Sequence, residues 1–317
     1  MRALVTGAAG FIGSNLTDAL LRDGAEVRGV DCLAGNHLPE RKLENLESAM
    51  RSDRFSFVEA DLADIELDEL VGDRDVVFHL AGEPGVRSSW GDGFEAFLRN
   101  NVLATQRLLE AARGAPEMRF VHASSSSVYG QAERFPTDES VPPRPFSPYG
   151  TTKLAAEHLC RLYQENHGVQ AVSLRYFSVF GPRQRPDMAF SRFFDAALAG
   201  EPITVFGDGE QTRDFTFVGD VVAGTIAAST APCAPGGVYN IGGGAQVALL
   251  DAIEVIEGLV GTPLDIRHLE AWRGDVRDTL ADTRKARADL GFVASAGLAD
   301  GLAAQFTALG QAVPATP

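Results

Sequence analysis

Short runs of consecutive apolar residues alternate with stretches of helical periodicity through the first half of the chain. The runs at 2–6 (RALVT), 26–31 (EVRGVD), 55–59 (FSFVE), 75–80 (DVVFHL) and 118–124 (MRFVHAS) predict buried strands. Residues 12–22 carry apolar positions at helical spacing. A long helix is predicted over about 94–113, around Leu98, Val102, Leu103 and Leu108. This alternation predicts an α/β fold, a doubly wound parallel sheet with helices on both faces. From about 171 the pattern turns mixed: a strand at 171–176, a loop rich in Gly, Pro and Arg, a helix near 189–199 and a strand near 203–206.

The first strand ends in Gly7-Ala8-Ala9-Gly10-Phe11-Ile12-Gly13, and a helix opens from it. Gly7 permits a tight turn, Gly10 lets backbone approach a pyrophosphate, and Gly13 lets helix and strand pack closely. The helix N-terminus, with the amides around Phe11 and Ile12, then faces the phosphates. Asp31 ends the second strand, 18 residues after Gly13, close to the roughly 20-residue spacing of a ribose-binding acid. A carboxylate there accepts from both ribose hydroxyls and repels a 2′-phosphate. The following Cys32 and Leu33 offer no cation for one. The cofactor expected is NAD rather than NADP, on a Rossmann-type sheet. Residues 1–175 are expected to form that NAD-binding domain, with a return segment near 215–240. Residues 176–317 are expected to form most of a smaller, mixed substrate domain.

Tyr149 and Lys153 stand four apart, on one helix face. A tyrosine with a pKa of about 10 is a poor base at neutral pH. A lysine ammonium one turn away and a positive nicotinamide both favour the phenolate. Tyr149 could then accept a hydroxyl proton while hydride leaves the same carbon.

Composition narrows the partners. The 317 residues are 45% hydrophobic with a mean hydropathy of −0.04, and a chain this long buries roughly three quarters of its unfolded surface. The net charge of −15 argues against nucleic acid and anionic membranes, which need a basic field. No apolar run reaches membrane-span length, and the first strand runs straight into the glycine loop, so a cytoplasmic protein is expected. Cys32, Cys160 and Cys233 are far apart and without metal spacing; no metal site is expected.

The G-x-x-G-x-x-G spacing, with Tyr149 and Lys153, resembles the extended short-chain dehydrogenase/reductases, the nucleotide-sugar epimerases and dehydratases. The likeness covers nearly the whole chain. It implies that Asp61 and Leu62 contact adenine, and that Leu80, Ala81 and Gly82 form the turn beneath the cofactor. Asn101 is implied behind the active site. Lys153 is implied on the nicotinamide ribose, with Tyr176 among the cofactor contacts. Ser125, four before Tyr129, matches the third catalytic member, with Ser126 as its rival. A UDP-sugar is the implied substrate, with Arg87 after the fourth strand, and Arg213 and Arg273 clamping its diphosphate. The helices near 94–113 and 149–167 imply a homodimer through a four-helix bundle.

Within that family, dehydration across C5 and C6 needs an acid and a base that Ser125-Ser126-Ser127 does not supply. Arg183-Gln184-Arg185-Pro186-Asp187-Met188 resembles the loop of UDP-glucuronate 4-epimerases. Ser126, Ser127 and Ser178 could donate to a C6 carboxylate, and Arg185 could bind it or the diphosphate. C4 epimerisation of UDP-glucuronate is the expected reaction. UDP-glucuronate decarboxylation, UDP-glucose 4-epimerisation and net dehydrogenation stay open. A binding-only sensor of dinucleotides is the competing class, against which the intact Tyr149, Lys153 and Ser125 stand.

Overall fold

The computed structural model describes residues 1–34, 39–272 and 274–313. Arg273 lies outside the described residues.

The predicted strands form β1 (Arg2–Thr6), β2 (Glu26–Asp31), β3 (Phe55–Glu59), β4 (Val76–His79), β5 (Arg119–Ser125) and β6 (Gln170–Tyr176). They pair in parallel in the order 3-2-1-4-5-6, with Val238–Ile241 added outside β6. The strand order reverses between β1 and β4, and ligands of open α/β sheets sit beyond the strand ends at such a point. Successive residues of β1 feed opposite faces. Ala3 and Val5 join an apolar cluster with Leu16, Leu20, Val221 and Tyr239. Leu4 joins Val77, Leu108, Phe120 and Tyr163 on the other face.

Helix α1 (Phe11–Arg22) follows the glycine loop, and α2 (Pro39–Met50) follows β2. The sequence pattern shows α2 poorly, because only Leu46 and Ala49 of its twelve residues are buried. A short helix, α3 (Asp68–Val71), precedes β4. The long helix expected over 94–113 is broken. It runs as α4 (Phe94–Phe97), a π-helical stretch Leu98–Leu103, and α5 (Ala104–Ala112). The π turn lets Asn101 bury its amide against Glu83 and Thr152, and π turns commonly mark functional sites.

Helix α6 (Pro148–His167) has local reasons for both ends. Ser147 accepts the Gly150 amide at 3.2 Å, Pro148 opens the first turn, and Gly168 closes it at φ 71°. Tyr149 therefore sits in the first turn of a 20-residue helix, where the dipole favours negative charge.

Past β6 the chain leaves the large sheet. It forms β7 (Val179–Phe180), α7 (Ala189–Ala199), β8 (Ile203–Phe206), β9 (Thr212–Asp214) and β10 (Thr216–Phe217). It then returns as α8 (Val218–Thr230), packed on α1, and β11 (Val238–Ile241). β12 (Gln246–Ala248), α9 (Leu249–Val260), β13 (Ile266–Leu269), α10 (Arg284–Leu290) and α11 (Leu298–Ala308) follow. Phe180, Phe190, Phe194, Ile203, Ile256 and Phe306 form a separate core among the smaller elements. No helix of the described residues is long and apolar enough to cross a membrane.

Candidate active site

The glycine loop is built where only glycine fits. A Cβ on Gly13 would lie 2.0 Å from Gly7 O, and Gly7 itself holds φ +70° with Ala81 N 2.8 Å from where its Cβ would sit. Gly10 is the N-cap of α1 and supplies no side-chain cap, which leaves the helix end open to a ligand. Gly7, Gly10, Phe11, Ile12 and Gly13 line one cleft together with Asp31, Asp61, Leu62, Leu80, Ala81 and Gly82. An extended dinucleotide fits this set: a glycine cradle for its pyrophosphate and an acid at the end of β2 for a ribose. No cluster of His, Cys, Asp or Glu suited to a metal occurs among the described residues.

The same cleft continues past Ser125, Ser126, Ser127, Tyr149, Lys153, Tyr176, Ser178 and Arg185. Of the rival serines, it is Ser125 whose hydroxyl acts on the Tyr149 phenol, favouring its ionised form. Ser125 Oγ is in turn fixed by the Ser127 amide at 3.1 Å. Burial pushes the Tyr149 phenol above its ordinary value, while the Ser125 hydroxyl and the Arg185 charge pull it down. Lys153 Nζ donates to Ala123 O at 3.0 Å. Burial brings Lys153 down to about 8, opposed by Cys160 and by Glu157 one turn further along α6. Two buried histidines stand near this ammonium. His79 bridges Thr6 and Thr105 at 2.8 and 2.9 Å and is pushed down to about 3, by burial first and Lys153 second. His122 is held well below its ordinary value for the same two reasons. Both imidazoles are neutral, so Lys153 is the cation here.

Lys153 has a consequence for stability. Its folded pKa of about 8 lies below the unfolded value of 10.5. Between those values the unfolded chain binds the extra proton, so stability rises with pH across that window. At pH 7 the buried ammonium costs roughly 3 kcal/mol. Lys153→Met removes that cost and leaves Ala123 O without its donor, a loss of about 1 kcal/mol. The variant is expected to be inactive and about 2 kcal/mol more stable at pH 7, with the gain shrinking toward pH 10. Urea denaturation at several pH values checks this; a less stable variant at pH 7 would contradict it.

Behind the cleft lies a buried cross-link. Glu157 takes the Ser124 hydroxyl and both arms of Arg175, at 2.9 and 2.7 Å. Both charged side chains are 5% exposed. Arg175 also lies 4.6 Å over the Tyr129 ring, and Tyr129 donates to Asn240 at 2.8 Å. Helix α6, β5 and β6 are thus tied together one residue before Ser125 and one before Tyr176. Asn101 does not line the cleft; it is buried behind it, accepting Glu83 N at 2.7 Å and donating to Thr152 Oγ1 at 3.0 Å. Tyr176 hydrogen-bonds Thr225 at 2.7 Å.

A second hollow opens from the first, sharing Ser178, Val179, Arg185 and Met188. Arg87 and Arg213 line it, as does Arg192, which the sequence reading did not single out. Arg87 stacks 4.0 Å over Phe206 and pairs with Asp275 at 3.0 Å. Arg213 donates to the carbonyls of Thr212 and Arg277 at 2.9 and 2.8 Å. Arg185 is forked onto Asp187 at 2.9 and 2.7 Å. Four arginines, Arg87, Arg185, Arg192 and Arg213, outnumber the two aspartates, Asp187 and Asp275, around one concavity, which makes it locally positive in a chain of charge −15. Phe190 is a core residue, its ring tilted against Phe215 with centroids 4.7 Å apart, and it lines the hollow.

Sequence reading also missed two charged groups of the first cleft, Lys42 and Glu83. The Glu83 carboxyl is raised above its ordinary value by burial, with Arg185 and Lys42 opposing. Neither residue carries a motif; each reaches the site only through the fold.

Comparison with known proteins gives the family and the fold. The NAD dependent epimerase/dehydratase family matches residues 3–242. A UDP-glucuronic acid 4-epimerase from Bacillus cereus, solved with UDP-glucuronic acid and NAD, is 44% identical, with a TM-score of 0.95 over 98% of this chain and 99% of that one. The UDP-glucose 4-epimerase of Mycolicibacterium smegmatis is 40% identical over 310 residues, 96% of each chain. The UDP-glucuronate 4-epimerase of Thermodesulfobacterium geofontis is 36% identical over 304 residues, 94% of this chain and 93% of its own. The chain belongs to the NAD-dependent epimerase/dehydratase family.

Proposed function

We propose that the protein is an NAD-dependent UDP-glucuronate 4-epimerase. The observation that carries this reading is that Ser126, Ser127, Ser178 and Arg185 line the same cleft as Tyr149. Hydroxyl donors and a guanidinium suit a sugar carboxylate. The Bacillus cereus protein, solved with UDP-glucuronic acid, supports the same choice.

NAD, when bound, supplies the two-electron acceptor for C4 and gives the electrons back before the product leaves. Gly7, Gly10 and Gly13 would cradle its pyrophosphate, Asp31 its adenine ribose and Lys153 its nicotinamide ribose. Tyr149 takes the C4 hydroxyl proton as phenolate, a form favoured by the α6 N-terminus and by Arg185. Ser125 hydrogen-bonds the reacting oxygen and keeps Tyr149 aimed at it. Arg213, Arg87 and Arg192 hold the diphosphate while the keto sugar turns over. Tyr149 then returns the proton to the C4 oxygen, and the inversion would come from hydride reaching the other face of the turned sugar.

Oxidation at C4 makes a β-keto acid, which loses carbon dioxide once its C5–carboxylate bond stands perpendicular to the ketone plane. Hydrogen bonds from Ser126, Ser127, Ser178 and Arg185 hold the carboxylate away from that alignment, and the product keeps its carbon. Arg185→Ala is expected to raise KM about tenfold or more for UDP-glucuronate, with a smaller change for UDP-glucose. Steady-state kinetics on both substrates checks this. Equal effects would favour a neutral hexose, the substrate named for the Mycolicibacterium smegmatis relative.

The active unit is a homodimer in this reading. Leu98, Leu103 and Leu162 are 44%, 43% and 51% exposed on the π stretch and α6, which supports those helices as the contact. Light scattering on the purified chain tests it.

A further inference from the structure

A cation stands at Asp31 that the residues next to it in sequence do not reveal. Lys42, on α2, places its ammonium 3.0 Å from Asp31 Oδ1 and 2.6 Å from Ala34 O. The two side chains are 12% and 5% exposed, and both line the cleft. One turn along α2, Asn45 donates to Ala9 O at 3.0 Å. That contact pins α2 against the glycine loop, so Lys42 is held at Asp31 rather than straying there.

Hydrogen-bond capacity says what this pair has left to offer. Asp31 Oδ1 accepts from Lys42 and from Leu33 N at 2.9 Å, and Oδ2 accepts from Ala9 N at 3.1 Å. A carboxylate has about four acceptor positions, so about one is free, on Oδ2. An ammonium has three donors; Asp31 and Ala34 take two, and one is free. The pair therefore presents one acceptor and one donor, side by side. Asp31 alone no longer has the capacity to accept from both hydroxyls of a ribose.

We propose that Asp31 and Lys42 act as one unit that reads the 2′ position of the adenine ribose, with Lys42 a phosphate-binding cation masked by Asp31. A vicinal diol satisfies the pair, because each hydroxyl both donates and accepts. A 2′-phosphate meets the Asp31 carboxylate at contact distance, while the Lys42 charge is already neutralised. The preference for NAD then comes from the masking and not from a lack of positive charge. Taking away the Asp31 charge leaves a buried ammonium that is no longer neutralised and still has a free donor, the chemistry a 2′-phosphate needs. The inference rests on NAD being the cofactor.

The test is a competition on the full chain. Protein is equilibrated with equal concentrations of NAD and NADP, separated from free nucleotide and denatured, and the released nucleotides are quantified. Wild type is expected to release NAD alone; release of neither would remove the cofactor assignment itself. Asp31→Asn, which keeps the shape of the side chain, is expected to raise the NADP-to-NAD ratio about tenfold or more, the effect of roughly 1.4 kcal/mol. Asp31→Ser is expected to do the same should the asparagine variant fail to fold by circular dichroism. Adding Lys42→Met to either is expected to abolish the gain. Lys42→Met alone is expected to weaken NAD retention severalfold and to leave NADP excluded. No gain on loss of the Asp31 charge, or a gain that persists without Lys42, overturns the proposal.

Discussion

Tyr149→Phe is expected to lower kcat on UDP-glucuronate by about a thousandfold, within the range of a lost general acid–base, with KM changed only a few fold. The ring has its own place: it lies edge-on to Phe97 at 6.0 Å and 74°. Phenylalanine keeps that packing and loses only the proton carrier. Lys153 and Ser125 are left in position, because Lys153 is held by Ala123 O and Ser125 by the Ser127 amide. Cofactor content should therefore match wild type. Turnover near the wild-type rate would remove Tyr149 from the chemistry and, with it, the C4 proton transfer.

Glu157→Gln is expected to destabilise the protein by about 3–5 kcal/mol, the usual result of leaving one charge of a buried pair alone. Arg175 would be that charge, with one of its nitrogens already lacking a partner. The double variant Glu157→Gln/Arg175→Met removes both charges and is expected to recover most of the loss, since apolar replacement of a buried pair is often neutral. Urea denaturation of the three proteins decides it. Additive losses in the double variant would show that Glu157 and Arg175 stabilise the fold separately. The cross-link ties β5 next to Ser125 to α6 two turns along from Tyr149, so the single variant should also lose activity at temperatures where it is still folded.

Legibility followed locality. The glycine loop, Asp31, Tyr149 and Lys153 were readable because each works within a few residues of its own element, and the structure gathers them in one cleft. Five of the first six strands were readable because buried parallel strands are continuous apolar runs; β3, expected to be buried, lies at the sheet edge with none of its residues fully buried. Helix α2 was not, since its exposed polar faces outnumber its two buried positions. The break at Leu98–Leu103 was hidden as well: the apolar spacing continues through it, and its cause is the tertiary placement of the Asn101 amide. Lys42, Glu83 and Arg192 escaped notice for the same reason. Nothing in the residues around Cys32 announces that a lysine on the next helix folds back onto Asp31. The sequence left Ser126 as a rival to Ser125; it is the Ser125 hydroxyl that acts on the Tyr149 phenol.

The central claim is that C4 is inverted while the carboxylate is kept. Purified protein incubated with UDP-glucuronate, without added NAD, should yield a product of unchanged mass whose C4 configuration is inverted by NMR, that is UDP-galacturonate, with no net NADH. Loss of carbon dioxide or of water from the product, or conversion of UDP-glucose in preference to UDP-glucuronate, would contradict it.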